Sequence, residues 1–223
     1  MISSIPNTIT CLNITSGCVA IALAFAGNFT GASIAIVAAA VFDFLDGAVA
    51  RALKAYSDMG KELDSLCDIV SFGLAPAAMV YMLLPAPASY AALAIPVCGA
   101  LRLARFNIDT RQTNGFIGLP IPANALFWIG MAALWSQHPV AADSAALPYA
   151  AMTILVALAM VAPVRLPSLK FHDFKPGREN NPRFMMIIMT LTLLLWIGIP
   201  GLAVAIAIYF LYGIVASFFA PAN

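Results

Sequence analysis

The sequence predicts an all-α, polytopic membrane bundle of about eight transmembrane helices, and three observations carry that prediction. First, 62% of the 223 residues are hydrophobic and only 9% are charged. A soluble domain carries about 25% charged residues. This chain therefore lacks the material for a water-facing surface, and its composition excludes disorder as well. Mean hydropathy is +0.94. Second, apolar runs near the roughly 20 residues of a spanning helix recur along the whole chain. No stretch is left for a separate soluble domain, so residues 1–223 read as one transmembrane domain. Third, the basic residues fall only in alternate loops.

The apolar runs are Thr8–Ala26, Gly31–Arg51, Gly60–Leu84, Ser89–Phe106, Pro120–Gln137, Ala145–Val164, Arg183–Gly198 and Gly201–Phe219. Glycine and proline mark the breaks, at Gly27 to Gly31, Pro85 and Pro87, Gly115 to Pro122, Pro139, Pro163 to Pro182, and Pro200. The opening MISSIPNTIT has no basic region and no small-residue cleavage site, so it reads as a mature start and not a signal peptide. Cys11, Cys18, Cys67 and Cys98 form no C-x-x-C pair and read as small buried hydrophobes. No internal repeat is visible.

Arg51, Lys54 and Lys61 flank the loop after span two. Arg102, Arg105 and Arg111 end or follow span four, and Arg165, Lys170, Lys175, Arg178 and Arg183 flank the loop after span six. These are all 11 Lys and Arg residues. With eight spans, every basic loop and both termini share one face, which the positive-inside rule makes cytoplasmic. The expected location is the cell (inner) membrane. The net charge of +1 carries no sign of a nucleic-acid partner, and none is expected.

Four carboxylates interrupt spans two and three: Asp43, Asp46, Asp64 and Asp68. A charge at the centre of a span costs roughly 2.5–3.5 kcal/mol on insertion scales, and is a functional residue by default. At 100° per residue, Asp43, Asp46, Gly47 and Ala50 share one helical face, and Gly60, Asp64 and Asp68 share another. A short loop makes the two spans antiparallel neighbours. The spacing predicts two facing pairs at matched depth, roughly 6–12 Å inside the cytoplasmic end. Four facing acids without basic partners repel. Divalent cations relieve that repulsion, and an all-oxygen donor set suits Mg²⁺ or Mn²⁺. Four carboxylates suffice for a two-metal site, whose usual work is displacement at phosphorus. Gly47 and Ala50 leave a slot beside it. A second reading makes the acids a proton or cation path in a transporter. Transporter sites, however, lie near the midplane and often use broken helices in related halves.

The string Asp43-x-x-Asp46-Gly47-x-x-Ala50-Arg51, eight residues, Gly60-x-x-x-Asp64-x-x-x-Asp68 resembles the signature of the CDP-alcohol phosphatidyltransferase family at every fixed position. IPNTITCLNITSG, GKELDSLCDIVSFGLAP, LRLARFNIDTRQT and GFIGLPIPANA are similar to the membrane-integral serine-accepting branch of bacteria and archaea, over roughly the first 130 residues. The resemblance implies metal-dependent transfer of a phosphatidyl group from CDP-diacylglycerol to the hydroxyl of L-serine, giving phosphatidylserine and CMP. Glycerol phosphate or inositol phosphate remain alternative acceptors. It implies two divalent cations on Asp43, Asp46, Asp64 and Asp68, with Asp68 also the general base. It places Asn7, Gly47, Ala50, Arg51 and Ser57 at the CDP-diacylglycerol site, among membrane lipids, in a homodimer.

Some residues carry two readings. Asn7 and Ser57 also suit ordinary helix-cap or loop use. Arg102 and Arg105 suit interfacial anchoring, or a cationic wall for the serine carboxylate with Asn124, Arg111 and Gln112. His138 and His172 lack partners at metal spacing and read as loop residues. The third basic loop suits anionic headgroups. Trp128, Trp135 and Trp196 suit packing or interfacial roles.

Overall fold

Two packed antiparallel helices, α1 (Ser4–Phe25) and α2 (Phe29–Ala52), open the chain in this computed structural model, which describes residues 4–108, 115–141, 146–167 and 181–219. The turn between them uses Gly27 at φ +74°, a conformation glycine adopts without a Cβ clash. Asn28 caps α2, its side-chain oxygen accepting from the Gly31 N–H at 2.8 Å. Ser57 caps α3 (Asp58–Asp68) in the same way, accepting from the Gly60 N–H at 3.0 Å.

The third rod is not a continuous α-helix, as the run Gly60–Leu84 had implied. α3 passes into a π-helical turn, Ile69–Leu74, and then into α4 (Ala75–Leu83). Pro76 supplies the physical reason. It has no N–H, and its ring crowds the carbonyl four residues earlier. The wider turn, in which the Ala75 N–H reaches back to Val70, carries the rod past it. This rod is the most enclosed of the long ones. Phe72, Met79 and Val80 join Ile95, Ile121 and Trp128 in the core.

A 3₁₀ helix, Ala88–Leu93, leads into α5 (Ala94–Ile108). Then come α6 (Ile121–Gln137), α7 (Ala146–Ala159), α8 (Asn181–Ile197) and α9 (Gly201–Phe219). Helices thus occupy all eight predicted runs. Among the described residues, four rods are long and apolar enough to cross a membrane: Ile5–Phe25, Phe29–Ala52, Asp58–Leu83 and Ala88–Ile108. α7, at 14 residues, reaches about 21 Å at 1.5 Å per residue, short of a core of about 30 Å. Among the described residues, length and composition alone qualify these four rods as candidate crossings, and α7, α8 and α9 are shorter apolar helices. The outward surface is apolar, with Trp196 and Leu195 87% exposed and Phe44 70% exposed, as a lipid-facing surface requires.

Among the described residues, the molecule is all-α apart from one small ladder. β1 (Gly115–Ile117) pairs antiparallel with β2 (Arg165–Pro167), Ile117 opposite Arg165. This ladder helps to gather the basic segments. The Lys61 ammonium donates to the Asn107 carbonyl at 3.0 Å, and Asn107 Nδ2 donates to Ser65 Oγ at 3.0 Å. The Arg165 N–H donates to Ser217 Oγ near the end of α9 at 3.3 Å. Arg111, Gln112, Lys170, His172, Lys175 and Arg178 lie outside the described residues.

Burial of the thiols departs from expectation. Cys67 and Cys98 are buried, but Cys11 and Cys18 lie on the outward face of α1. A thiol is apolar enough for lipid contact. Trp128 and Trp135 are core residues, whereas Trp196 is exposed, and His138 is exposed just past α6.

Candidate active site

Two neighbouring helices carry the four acids. Asp43 on α2 and Asp64 and Asp68 on α3 place carboxylate oxygens within 4.8 Å of one another. Asp64 stands within hydrogen-bonding reach of Asp43 and within electrostatic reach of Asp46. The arrangement is three plus one, and not the two facing pairs that depth alone predicted. Asp46 is turned toward α1, where Thr10 donates to its Oδ2 at 2.6 Å. Three residues along α2 is a rotation of 300°, so Asp46 sits about 60° round from Asp43. That rotation faces it to α1.

The donor set fits a hard divalent cation. It is all oxygen, it is partly enclosed, and Asp64 Oδ1 is buried with no hydrogen-bond partner among the described residues. Burying unneutralised carboxylates this close is costly, and a cation removes the cost.

Beside the acids opens a cleft of about 210 Å³. α1 contributes Pro6, Asn7 and Thr10 to its wall, and α2 contributes Asp46, Gly47 and Ala50. The segment from Ala55 to Ser57 forms its rim, with Gly60, Lys61 and Asp64 of α3. Four of the five expected nucleotide-lipid residues, Asn7, Gly47, Ala50 and Ser57, line it. The fifth, Arg51, folds back along its own helix. Its Nη1 lies 3.4 Å from where a Gly47 Cβ would stand. Gly60 admits the Asn7 side chain, whose oxygen would lie 3.2 Å from a Cβ there. Ser57 therefore does both things expected of it, capping α3 and lining the cleft.

The three residues expected to face the acceptor separate. Arg102 on α5 is buried, its guanidinium 5.8 Å above the Phe106 ring, with Nε unpartnered among the described residues. It lies within electrostatic reach of Asp68 and of Tyr209 on α9. Arg105 is exposed and donates to the Val161 carbonyl at 3.2 Å. Asn124 is fully buried, and its Oδ1 accepts from Trp128 Nε1 at 3.0 Å.

Sequence reasoning missed four residues here. Thr10 and Asn13 come from α1. Asn13 Nδ2 donates to Asp68 Oδ1 at 3.4 Å, and its main-chain carbonyl accepts from Ser71 Oγ at 3.0 Å. Their signal was polar residues three apart on one face of an apolar helix. Lys61 lines the cleft, next to Gly60 of the acidic motif. Tyr209 carried no signal in a run of generic apolar residues.

A family model described as CDP-alcohol phosphatidyltransferase matches residues 3–166. A CDP-diacylglycerol–serine O-phosphatidyltransferase of Methanocaldococcus jannaschii is 37% identical over 216 residues, covering 96% of this chain and 94% of that one. A protein of the same name from Bacillus subtilis is 34% identical over 183 residues, with 79% of this chain and 98% of the relative covered. One from Mycobacterium leprae is 44% identical over 143 residues, covering 60% and 48%.

Proposed function

Because the chain belongs to the CDP-alcohol phosphatidyltransferase family, we propose that it transfers the phosphatidyl group of CDP-diacylglycerol to the hydroxyl of L-serine, releasing CMP and phosphatidylserine. One observation carries the reading. A partly buried three-carboxylate cluster adjoins, through Asp64, a cleft whose lining includes Gly47 and Ala50, which add almost no side-chain bulk. Family membership sets the transporter reading aside.

Cytidine diphosphate enters the cleft between α1 and the start of α3. Asn7, Ser57 and Lys61 offer it polar and cationic partners at the rim, and Arg51 reaches a phosphate alongside Gly47. Two divalent cations, Mg²⁺ or Mn²⁺, held by Asp43, Asp46, Asp64 and Asp68, would neutralise the pyrophosphate and the leaving nucleotide. The serine hydroxyl oxygen attacks the phosphorus that bears diacylglycerol. A new P–O bond forms to serine, and the P–O bond to the CMP phosphate breaks. Asp68, the most buried of the three clustered acids, takes the hydroxyl proton as attack proceeds. Arg102 offers a cation to the serine carboxylate.

The lipid tails need lateral access from the bilayer, which is why this chemistry belongs within membrane helices. We assign residues 1–223 to one domain with eight crossings in the cell membrane, and place the cleft on the cytoplasmic side. The convergence of Lys61, Asn107, Arg165 and Ser217 on one end supports that orientation. The homodimer is carried over from the family.

The test is purified protein with CDP-diacylglycerol, Mn²⁺ and a panel of L-serine, glycerol phosphate, inositol phosphate and water, following CMP. Release that depends on L-serine and on the cation is expected. Release with a phosphorylated acceptor only, or none with any acceptor, overturns the proposal.

A further inference from the structure

Resting on the reading that serine is the acceptor, we propose that Asn13 is a specificity-determining residue. Its side-chain oxygen accepts an N–H from the acceptor's ammonium group, while its amide N–H holds Asp68.

Asn13 is fully buried on α1. Its backbone is tied to the π-helical turn by Ser71, and its carboxamide head is tied to Asp68 Oδ1 at 3.4 Å. Charge sets the orientation of that head. Turned over, its oxygen would face a carboxylate oxygen. In the orientation present, Oδ1 has no donor among the described residues. A buried acceptor without a donor is costly and calls for an explanation.

Serine has the matching chemistry. Its hydroxyl and its ammonium sit on adjacent carbons. The protein offers two acceptors on adjacent groups, the Asp68 carboxylate and Asn13 Oδ1, linked through Nδ2. With the hydroxyl on Asp68, the ammonium falls within reach of Asn13. The serine carboxylate is then left for Arg102, buried nearby with an unpartnered Nε among the described residues. Glycerol phosphate and inositol phosphate have no ammonium and would leave Oδ1 unpaired. A site built to hydrogen-bond one group strongly rejects analogues that lack it.

The experiment compares wild type, Asn13→Ala and Asn13→Ser in the full chain. It measures the serine KM, the competitive inhibition constant of 3-hydroxypropionate (serine without its amine), and Mn²⁺ binding by electron paramagnetic resonance without substrates. The expected result is a serine KM raised about tenfold or more in Asn13→Ala. Inhibition by 3-hydroxypropionate and Mn²⁺ binding should each change by less than about twofold. If Asn13→Ala does not fold, Asn13→Ser is read by the same criteria, with a smaller rise because its hydroxyl retains an acceptor. An unchanged serine KM, or equal losses for serine and its deaminated analogue, overturns the proposal. Weakened Mn²⁺ binding also overturns it, by giving Oδ1 to the cation. No CMP release from wild type with serine would instead overturn the parent reading, independently of Asn13.

Discussion

The Thr10 hydroxyl on α1 donates to Asp46 Oδ2 on α2 at 2.6 Å, although the Pro6 carbonyl stands only 3.0 Å from the same oxygen. The hydroxyl faces both acceptors, and the shorter, charge-assisted bond to the carboxylate is the stronger. Both residues are largely buried, at 3% and 6% exposure, which limits competition from water. Asp46 is thereby held by a helix that carries none of the four acids.

Thr10→Val should therefore impair the enzyme through Asp46. Valine keeps the shape and removes the donor. A hydrogen bond to a charged group is worth about 1.5–3 kcal/mol, or roughly 10- to 100-fold. CMP release should fall by about that factor, while Thr10→Ser stays close to wild type. Wild-type turnover in Thr10→Val would mean that Asp46 is positioned by something else.

The charges themselves should matter more than their positioning. Asp43→Asn, Asp46→Asn and Asp64→Asn each preserve shape and remove a charge that the proposed cations would need. Each should cut CMP release by about two or more orders of magnitude while the protein still inserts. The comparison is made across a range of Mn²⁺ concentrations. A variant that recovers fully at ordinary Mn²⁺ is not a ligand.

Packing of α1 against the π-helical turn depends on Gly17. A Cβ there would lie 2.8 Å from the Ser71 Cα, which is backbone and cannot swing away. Gly17→Ala should destabilise the protein by about 1–3 kcal/mol, the usual cost of overpacking. Thermal unfolding in detergent should show a lowered midpoint. An unchanged midpoint would mean that α1 and the turn can separate freely.

That contact also marks where the sequence stopped being readable. The eight runs were legible because proline or glycine stands at each break, and the four acids because a carboxylate in an apolar run stands out. The three-plus-one arrangement was not, since depth along two helices ignores the third helix that Asp46 turns toward. Pro76 was the available sign of the π-helical turn, but a proline near the middle of a span signals a perturbation and not its form. Arg105 and Arg102 look alike in sequence, three residues apart. Arg102 is buried and Arg105 exposed, and only the packing of α5 sets that. The β1–β2 ladder was illegible because three-residue strands have no periodicity to detect.

Topology gives a prediction independent of activity. On a background lacking Cys11, Cys18, Cys67 and Cys98, cysteine is placed at 57, 138 or 175 in turn, and intact cells are treated with an impermeant thiol reagent. His138→Cys should label from outside, because His138 is exposed beyond α6 on the side away from the basic segments. Ser57→Cys and Lys175→Cys should label only after lysis. Efficient labelling of either in intact cells overturns the orientation.

Asp68→Asn should separate chemistry from binding. Asp68 is 8% exposed and touches Asn13, away from the cleft, whose lining includes Asp46 and Asp64 but not Asp68. On the proposed reading, nucleotide binding draws first on Asp46 and Asp64, and the acceptor meets Asp68. A general base acts on the acceptor's proton, so its loss slows the chemical step and spares affinity for the donor. Asp68→Asn should abolish turnover yet retain more CDP-diacylglycerol affinity than Asp46→Asn does. The separation will be partial, because Asp68 also belongs to the three-carboxylate cluster and its charge would help to hold the proposed cations. Affinity and CMP release are measured for both variants at saturating Mn²⁺. Equal loss of binding in the two would remove the ground for assigning the base to Asp68 and leave it as one more ligand.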